Sequence, residues 1–195
     1  MTRSLSQGNS VISHNRGEVV AYIGLGSNLG DRLAALRAAV ERIDRLDRTR
    51  VDFSGGIAPV YETGPVGGPQ GQPPYLNSVV CVRTGLPARE LLDHLLAIER
   101  ELGRVRADKW ESRIIDLDLL LYDDSVIDEP GLNVPHPRLT ERRFVLDPLA
   151  TIAGDALHPG LRTPISTLAQ RARQAWAGQH VQPIAGPEWC SMRVR

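Results

Sequence analysis

Asp116 and Asp118 stand two residues apart in the run IIDLDLLLY (114–122), the most strand-like segment of the chain. Positions i and i+2 of a strand project from one face, so both carboxylates point the same way while Ile115, Leu117, Leu119 and Leu121 face the core. Side chains at that spacing sit roughly 7 Å apart, so each can bind a separate hard cation, or both can share one, with substrate oxygens completing the shell. Two-metal sites with ions roughly 3.5–4 Å apart suit in-line phosphoryl displacement. The plainer alternative is a solvated strand face. Asp is disfavoured in strands and adjacent like charges raise that cost, which favours the metal reading.

Arg104, Arg106, Lys109 and Arg113 fall within ten residues just ahead of this pair. A polyphosphate would fit between their charges and metals on the carboxylates; on charge alone the segment is a solvated turn answering Asp108 and Glu111. His136, Arg138, Arg142 and Arg143 form a second cationic group after the strand, with His136 fixed between Pro135 and Pro137. These four either face phosphate or are ordinary surface side chains. Tyr75, Asn77, Trp110 and Phe144 add aromatic faces and an amide near the same loops, as a flat heterocycle would need, although core packing also accounts for Tyr75 and Phe144.

Gly24, Gly26 and Gly30, between a strand and a helix, look like a dinucleotide fingerprint with Asp44 about twenty residues on. The third glycine is one position late, and a tight strand-to-helix turn explains all three. No Walker A loop can be written, because the sole lysine, Lys109, is followed by Trp110.

The elements that must position these residues follow from the rest of the chain. It has 195 residues, with 23 Lys+Arg against 23 Asp+Glu and 42% hydrophobic residues, an ordinary globular composition. The balanced charge argues against generic nucleic-acid binding, and no run is long and apolar enough for a membrane span. Two cysteines cannot build a disulfide scaffold, so a reducing cytoplasm is the expectation.

Residues 1–17 read as a disordered tail. A strand begins at Val19 and breaks at Gly24, and a helix carries Leu33, Leu36, Val40, Ile43 and Leu46. A second strand spans about 50–62 with a bulge at Gly55-Gly56, and a Gly/Pro-rich loop covers 64–74. Strand 76–84, a helix entered through Pro87 and the strand at 114–122 complete a ferredoxin-like β-α-β-β-α-β sandwich of the α+β class. A C-terminal extension holds, within 125–150, a short hairpin and a turn of helix ending at Pro148, and then an amphipathic helix over 164–177. One domain over 18–178 is expected, with 179–195 a second tail.

These pieces together resemble the 6-hydroxymethyl-7,8-dihydropterin pyrophosphokinase family. The resemblance runs from Val19 to Ala177 and rests on AYIGLGSNLGDR (21–32), VYETGPVG (60–67), YLNSVV (75–80), ELGRVR (101–106), KWESRIIDLDLLLY (109–122) and VPHPRLTERRFVLDPL (134–149). It implies transfer of pyrophosphate from ATP to the pterin's hydroxymethyl oxygen, with release of AMP, in folate biosynthesis. Asp116 and Asp118 would hold two Mg²⁺ ions. Arg104, Arg113, His136 and Arg142 would grip the phosphates, with Arg106 on a mobile loop beside them. Tyr75 and Phe144 would sandwich the pterin, Asn77 and the backbone near Thr63 and Val66 would read its edge, and Trp110 would close over the site. The partners implied are these two small molecules alone, and a monomer is expected.

The chain departs from the family at Glu111-Ser112, where Gly-Pro is usual. Glu111 places a carboxylate near the phosphates, so Glu111→Gly should lower the KM for ATP. Two other readings of the residues are a non-catalytic ferredoxin-like binding module and, from the glycines alone, a dinucleotide-dependent oxidoreductase. RNA binding would want exposed aromatics on the middle strands and a basic surface, neither of which is evident.

Overall fold

The computed structural model describes residues 17–64, 72–103 and 113–191. The strands are β1 (Val19–Ser27), β2 (Thr49–Val51), β3 (Val60–Thr63), β4 (Tyr75–Thr84), β5 (Asp116–Tyr122), β6 (Ile127–Glu129), β7 (Leu132–Val134), β8 (Leu157–His158), β9 (Thr163–Pro164) and β10 (Val181–Ala185). The helices are α1 (Arg32–Asp44), α2 (Ala88–Glu101), α3 (Arg143–Ala153) and α4 (Ile165–Ala175). The main sheet runs β10-β3-β4-β1-β5, with β2 also on β4, and its strand pairs are antiparallel.

Two apolar layers sandwich the sheet. On one face α1 buries Leu36, Val40 and Ile43 and α2 buries Leu91, Leu95 and Ile98 against Ile23, Leu25 and Val80. The apolar residues recur at i, i+3 and i+4, so each helix has one stripe to bury. Asp31 caps α1, its Oδ1 accepting from the Ala34 N–H at 3.0 Å. On the other face α3 and α4 pack Leu146, Leu149, Ile165 and Leu168 against Val79 and Leu120. The fold is thus mixed, a sheet covered by four α-helices among the described residues.

Several elements differ from the sequence expectations. The strand expected over 50–62 is two short ones, β2 and β3, joined through an isolated bridge from Ile57 to Val80. β1 does not break at Gly24 but continues to Ser27, because its glycines pair with both neighbours. The register of β5 on β1 slips between Tyr22↔Leu121 and Ile23↔Leu119, so Leu120 is an extra residue. This bulge sends Leu121 into the α3/α4 layer rather than the layer its alternation predicts. Pro148 lies inside α3 instead of ending it.

The largest correction concerns the expected tail over 179–195. Val181–Ala185 form β10 on β3, and Trp189 and Cys190 are buried at 4% and 5% exposure. Trp189 Nε1–H donates to the Ala58 carbonyl at 2.8 Å, and Arg37 Nε–H donates to the Trp189 carbonyl at 2.7 Å. One aromatic side chain thus stitches the segment into the α1 face. Residues 1–16, the bulk of the expected N-terminal tail, lie outside the described residues.

Candidate active site

The site is built on a row of residues across the sheet. Asp116 on β5 lies opposite Gly26 on β1, which lies opposite Asn77 on β4; the next row is Asp118, Gly24 and Val79. Neighbouring strands are about 4.8 Å apart, so the carboxylates and Asn77 stand roughly 10 Å apart across a strand whose facing positions have no side chains. A Cβ on Gly26 would lie 3.1 Å from Asn77 Oδ1, and one on Gly24 would lie 3.3 Å from Leu120. Gly24 and Gly26 are therefore the floor of a cavity of about 360 Å³, not part of the tight strand-to-helix turn expected to explain them.

One end of this cavity is charged. Asp116 and Asp118 keep 29% and 33% of their side-chain surface exposed. Arg113 donates to Asp116 Oδ1 at 2.8 Å. Arg142 lies 3.6 Å from Asp118 Oδ2, and His136 Nε2 lies 4.0 Å from the same oxygen. Burial, and then the neighbouring Asp116, push the Asp118 acid upward, against the pull of His136, Arg142 and Arg113. Burial lowers the His136 pKa more than Asp118 raises it, which favours the neutral ring. Its Nδ1 accepts from the Arg138 N–H at 3.1 Å, leaving Nε2 to carry the proton toward Asp118.

The other end is amphipathic. Tyr75, Asn77, Thr63 and Phe144 line it, and Asn77 Nδ2–H donates to Thr63 Oγ1 at 2.7 Å, which fixes the amide's orientation. The Arg142 guanidinium sits 5.5 Å from the centre of the Phe144 ring, so the phenyl face also holds a charged-end side chain in place.

The structure thus brings together Asp116, Asp118, Arg113, His136, Arg142, Thr63, Tyr75, Asn77 and Phe144. Arg138 also lines the cavity and lies 3.6 Å from Glu141. Arg143 does not join them: its guanidinium turns to Asp147, 3.3 Å away, so of the two readings open for it the phosphate-facing one is excluded. Arg104, Arg106, Lys109, Trp110, Glu111 and Ser112, and Val66, lie outside the described residues.

Two supporting residues escaped sequence reasoning. Glu99 on α2 is 1% exposed, and its Oε1 accepts from the Leu117 N–H at 2.7 Å, between the two aspartates. Its signal was a carboxylate in line with Leu95 and Leu102 on the apolar stripe. Asn28, in the turn after β1, accepts the Arg113 N–H and left no comparable trace.

A family model described as 7,8-dihydro-6-hydroxymethylpterin-pyrophosphokinase (HPPK) matches residues 22–154. The chain is 42% identical over 143 residues to the 2-amino-4-hydroxy-6-hydroxymethyldihydropteridine pyrophosphokinase of Pseudomonas aeruginosa, an alignment covering 73% of this chain and 83% of that protein. It is 45% identical over 133 residues to the protein of the same name from Bacillus subtilis, covering 68% and 77%. Among solved structures it is similar to wild-type Plasmodium falciparum HPPK-DHPS with pteroate, at a TM-score of 0.65 and 14% identity over 85% of this chain. This chain spans 47% of that one, and the likeness concerns the fold.

Proposed function

Because this chain belongs to the 7,8-dihydro-6-hydroxymethylpterin-pyrophosphokinase family, and so is an enzyme, we propose that it transfers pyrophosphate from ATP to 6-hydroxymethyl-7,8-dihydropterin, giving the pterin diphosphate and AMP in folate biosynthesis. The observation that carries this reading is the cavity itself. Its charged end, with Asp116, Asp118, Arg113 and Arg142, suits a polyphosphate, and its amphipathic end, with Tyr75, Asn77 and Phe144, suits a flat heterocycle.

The carboxylate pair fits magnesium. No cluster of three or more His, Cys, Asp or Glu placed to hold a metal ion occurs among the described residues, so the donor set suits a hard cation completed by phosphate oxygens and water, not a closed protein cage. The raised Asp118 acid beside Asp116 marks like charges that a divalent cation would relieve. Asp116 and Asp118 would hold Mg²⁺, two ions on our reading, whose contribution when bound is to offset phosphate charge.

The remaining work falls to this chain's side chains. Arg113, Arg142 and His136 would hold the phosphates, with Arg104 and Arg106 joining from the preceding loop. Tyr75 and Phe144 would stack on the pterin, Asn77 and the backbone at Thr63 and Val66 would read its edge, and Trp110 would cover it. Held in line, the substrate hydroxyl oxygen bonds the β-phosphorus as the bond to the AMP oxygen breaks. Positioning and charge neutralisation carry most of the barrier reduction.

We read the sheet as ferredoxin-like, supported by the strand–helix–strand–strand–helix–strand order and the β5-β1-β4 neighbours, with the second strand in two pieces. The domain expected over 18–178, extended through β10 and Trp189, is one catalytic domain on this reading, in a cytoplasmic monomer. Incubation with Mg²⁺, ATP and the pterin, followed by chromatography of the nucleotides, tests the reaction. Pterin-dependent AMP supports it; ADP would overturn it.

A further inference from the structure

After α4 the chain turns back toward the cavity. The Gly64 N–H donates to the His180 carbonyl at 3.2 Å, and Val181 pairs with Thr63, so residues 179–181 run beside the amphipathic end. Arg143 pins this turn by donating to the carbonyls of Trp176 at 3.2 Å and Gln179 at 3.1 Å. Asp147, 3% exposed, holds Arg143 at 3.3 Å and accepts from Arg173 Nε at 2.7 Å. Arg143 is the residue next to Phe144, so a single clamp sets both the aromatic face and the C-terminal turn.

Gln179, held in this way, lines the cavity with Thr63, Gly64 and Phe144. Its Oε1 is buried without a hydrogen-bond partner among the described residues. An unmatched buried amide oxygen carries an uncompensated desolvation cost that a hydrogen-bond donor would relieve, and Arg143 Nε, in the same cluster, is also buried without a partner.

We propose that Gln179 is a substrate-contacting residue that reads the hydrogen-bonding edge of the heterocyclic substrate, with Arg143 as its positioning residue. The inference rests on the pterin reading of this cavity. A pterin edge alternates N–H donors with acceptors, and a glutamine amide offers one of each. Gln179 stands on the Thr63 and Phe144 side, so it bears on the heterocycle rather than on the nucleotide. It also lies beyond residues 22–154, so the segment outside the family match would help set substrate affinity.

The test compares wild-type protein with Gln179→Ala and the near-isosteric Gln179→Met, titrating 6-hydroxymethylpterin by fluorescence and a non-hydrolysable ATP analogue with Mg²⁺ by calorimetry. Both variants are expected to weaken pterin binding about five- to tenfold, the loss of one hydrogen bond, with nucleotide affinity kept within about twofold. Arg143→Lys should move pterin affinity in the same direction. Wild-type pterin affinity in Gln179→Met overturns the inference. So does a lower melting temperature in both variants with pterin affinity unmoved, which assigns the amide to the Arg143 cluster. If the wild-type protein itself fails to bind the pterin, the parent reading falls, and this one with it.

Discussion

Asn28 and Arg113 are locked together by two hydrogen bonds: the Asn28 side-chain oxygen accepts the Arg113 N–H at 2.6 Å, and the Asn28 N–H donates to the Arg113 carbonyl at 3.1 Å. This double tie joins the turn after β1 to the start of β5 and sets where the Arg113 guanidinium can reach. Asn28→Ala removes one of the two bonds. We expect a stability loss of about 1 kcal/mol and a weaker grip on the nucleotide, read as a rise in the KM for ATP. An unchanged KM would show that Arg113 is placed by Asp116 alone.

Asp118→Asn separates function from stability. Burial and Asp116 both disfavour the ionised Asp118, so neutralising it removes a repulsion from the metal-free protein. Turnover should fall by about two to three orders of magnitude, while the melting temperature without Mg²⁺ holds or rises. A variant that is both active and less stable would contradict the assigned role.

Gly26→Val tests the cavity floor. A Cβ there already comes within 3.1 Å of Asn77 Oδ1 and 3.8 Å of the Asp116 Cβ, and valine adds two methyl groups. A β-branched residue suits a strand, so the fold should survive while pterin and nucleotide binding are both lost. Retained binding by calorimetry would mean the ligands sit elsewhere.

Trp189→Ala measures how far the C-terminal segment belongs to the fold. The indole is 4% exposed and its N–H is bonded to Ala58, so truncation should cost about 3–5 kcal/mol in denaturant unfolding. A change below about 1 kcal/mol would return residues after 178 to the status of a tail.

The two thiols give a pH signature. Burial pushes Cys81 and Cys190 up to about 11 from an ordinary value of 9.0. Because the folded values are the higher ones, their contribution is complete below pH 9.0 and is lost as pH rises toward about 11. Stability should therefore fall across that window, and a thiol reagent at pH 8 should label native protein far more slowly than unfolded protein. Stability that rises between those pH values would contradict the buried placement.

The part of this site legible in sequence was the part with a period. Asp116 and Asp118 alternate with leucines, and alternation fixes a face, so their shared direction could be read from spacing. The glycines were visible but their purpose was not, since only the pairing across three strands reveals that Gly26 separates Asp116 from Asn77. Arg143 carried no mark distinguishing it from Arg142; its turn away from the cavity depends on Asp147 four residues on and on Arg173 from α4. β10 was missed because it is a largely exposed edge strand interrupted by Pro183, with neither alternation nor a buried face, and its anchor is a single tryptophan beyond it.

The most direct measurement is the ³¹P NMR spectrum of the pterin product formed from ATP, Mg²⁺ and 6-hydroxymethyl-7,8-dihydropterin. Pyrophosphoryl transfer predicts two mutually coupled resonances on the pterin and one AMP per product, all absent with Asp116→Ala. A single uncoupled phosphomonoester resonance accompanied by ADP would contradict it.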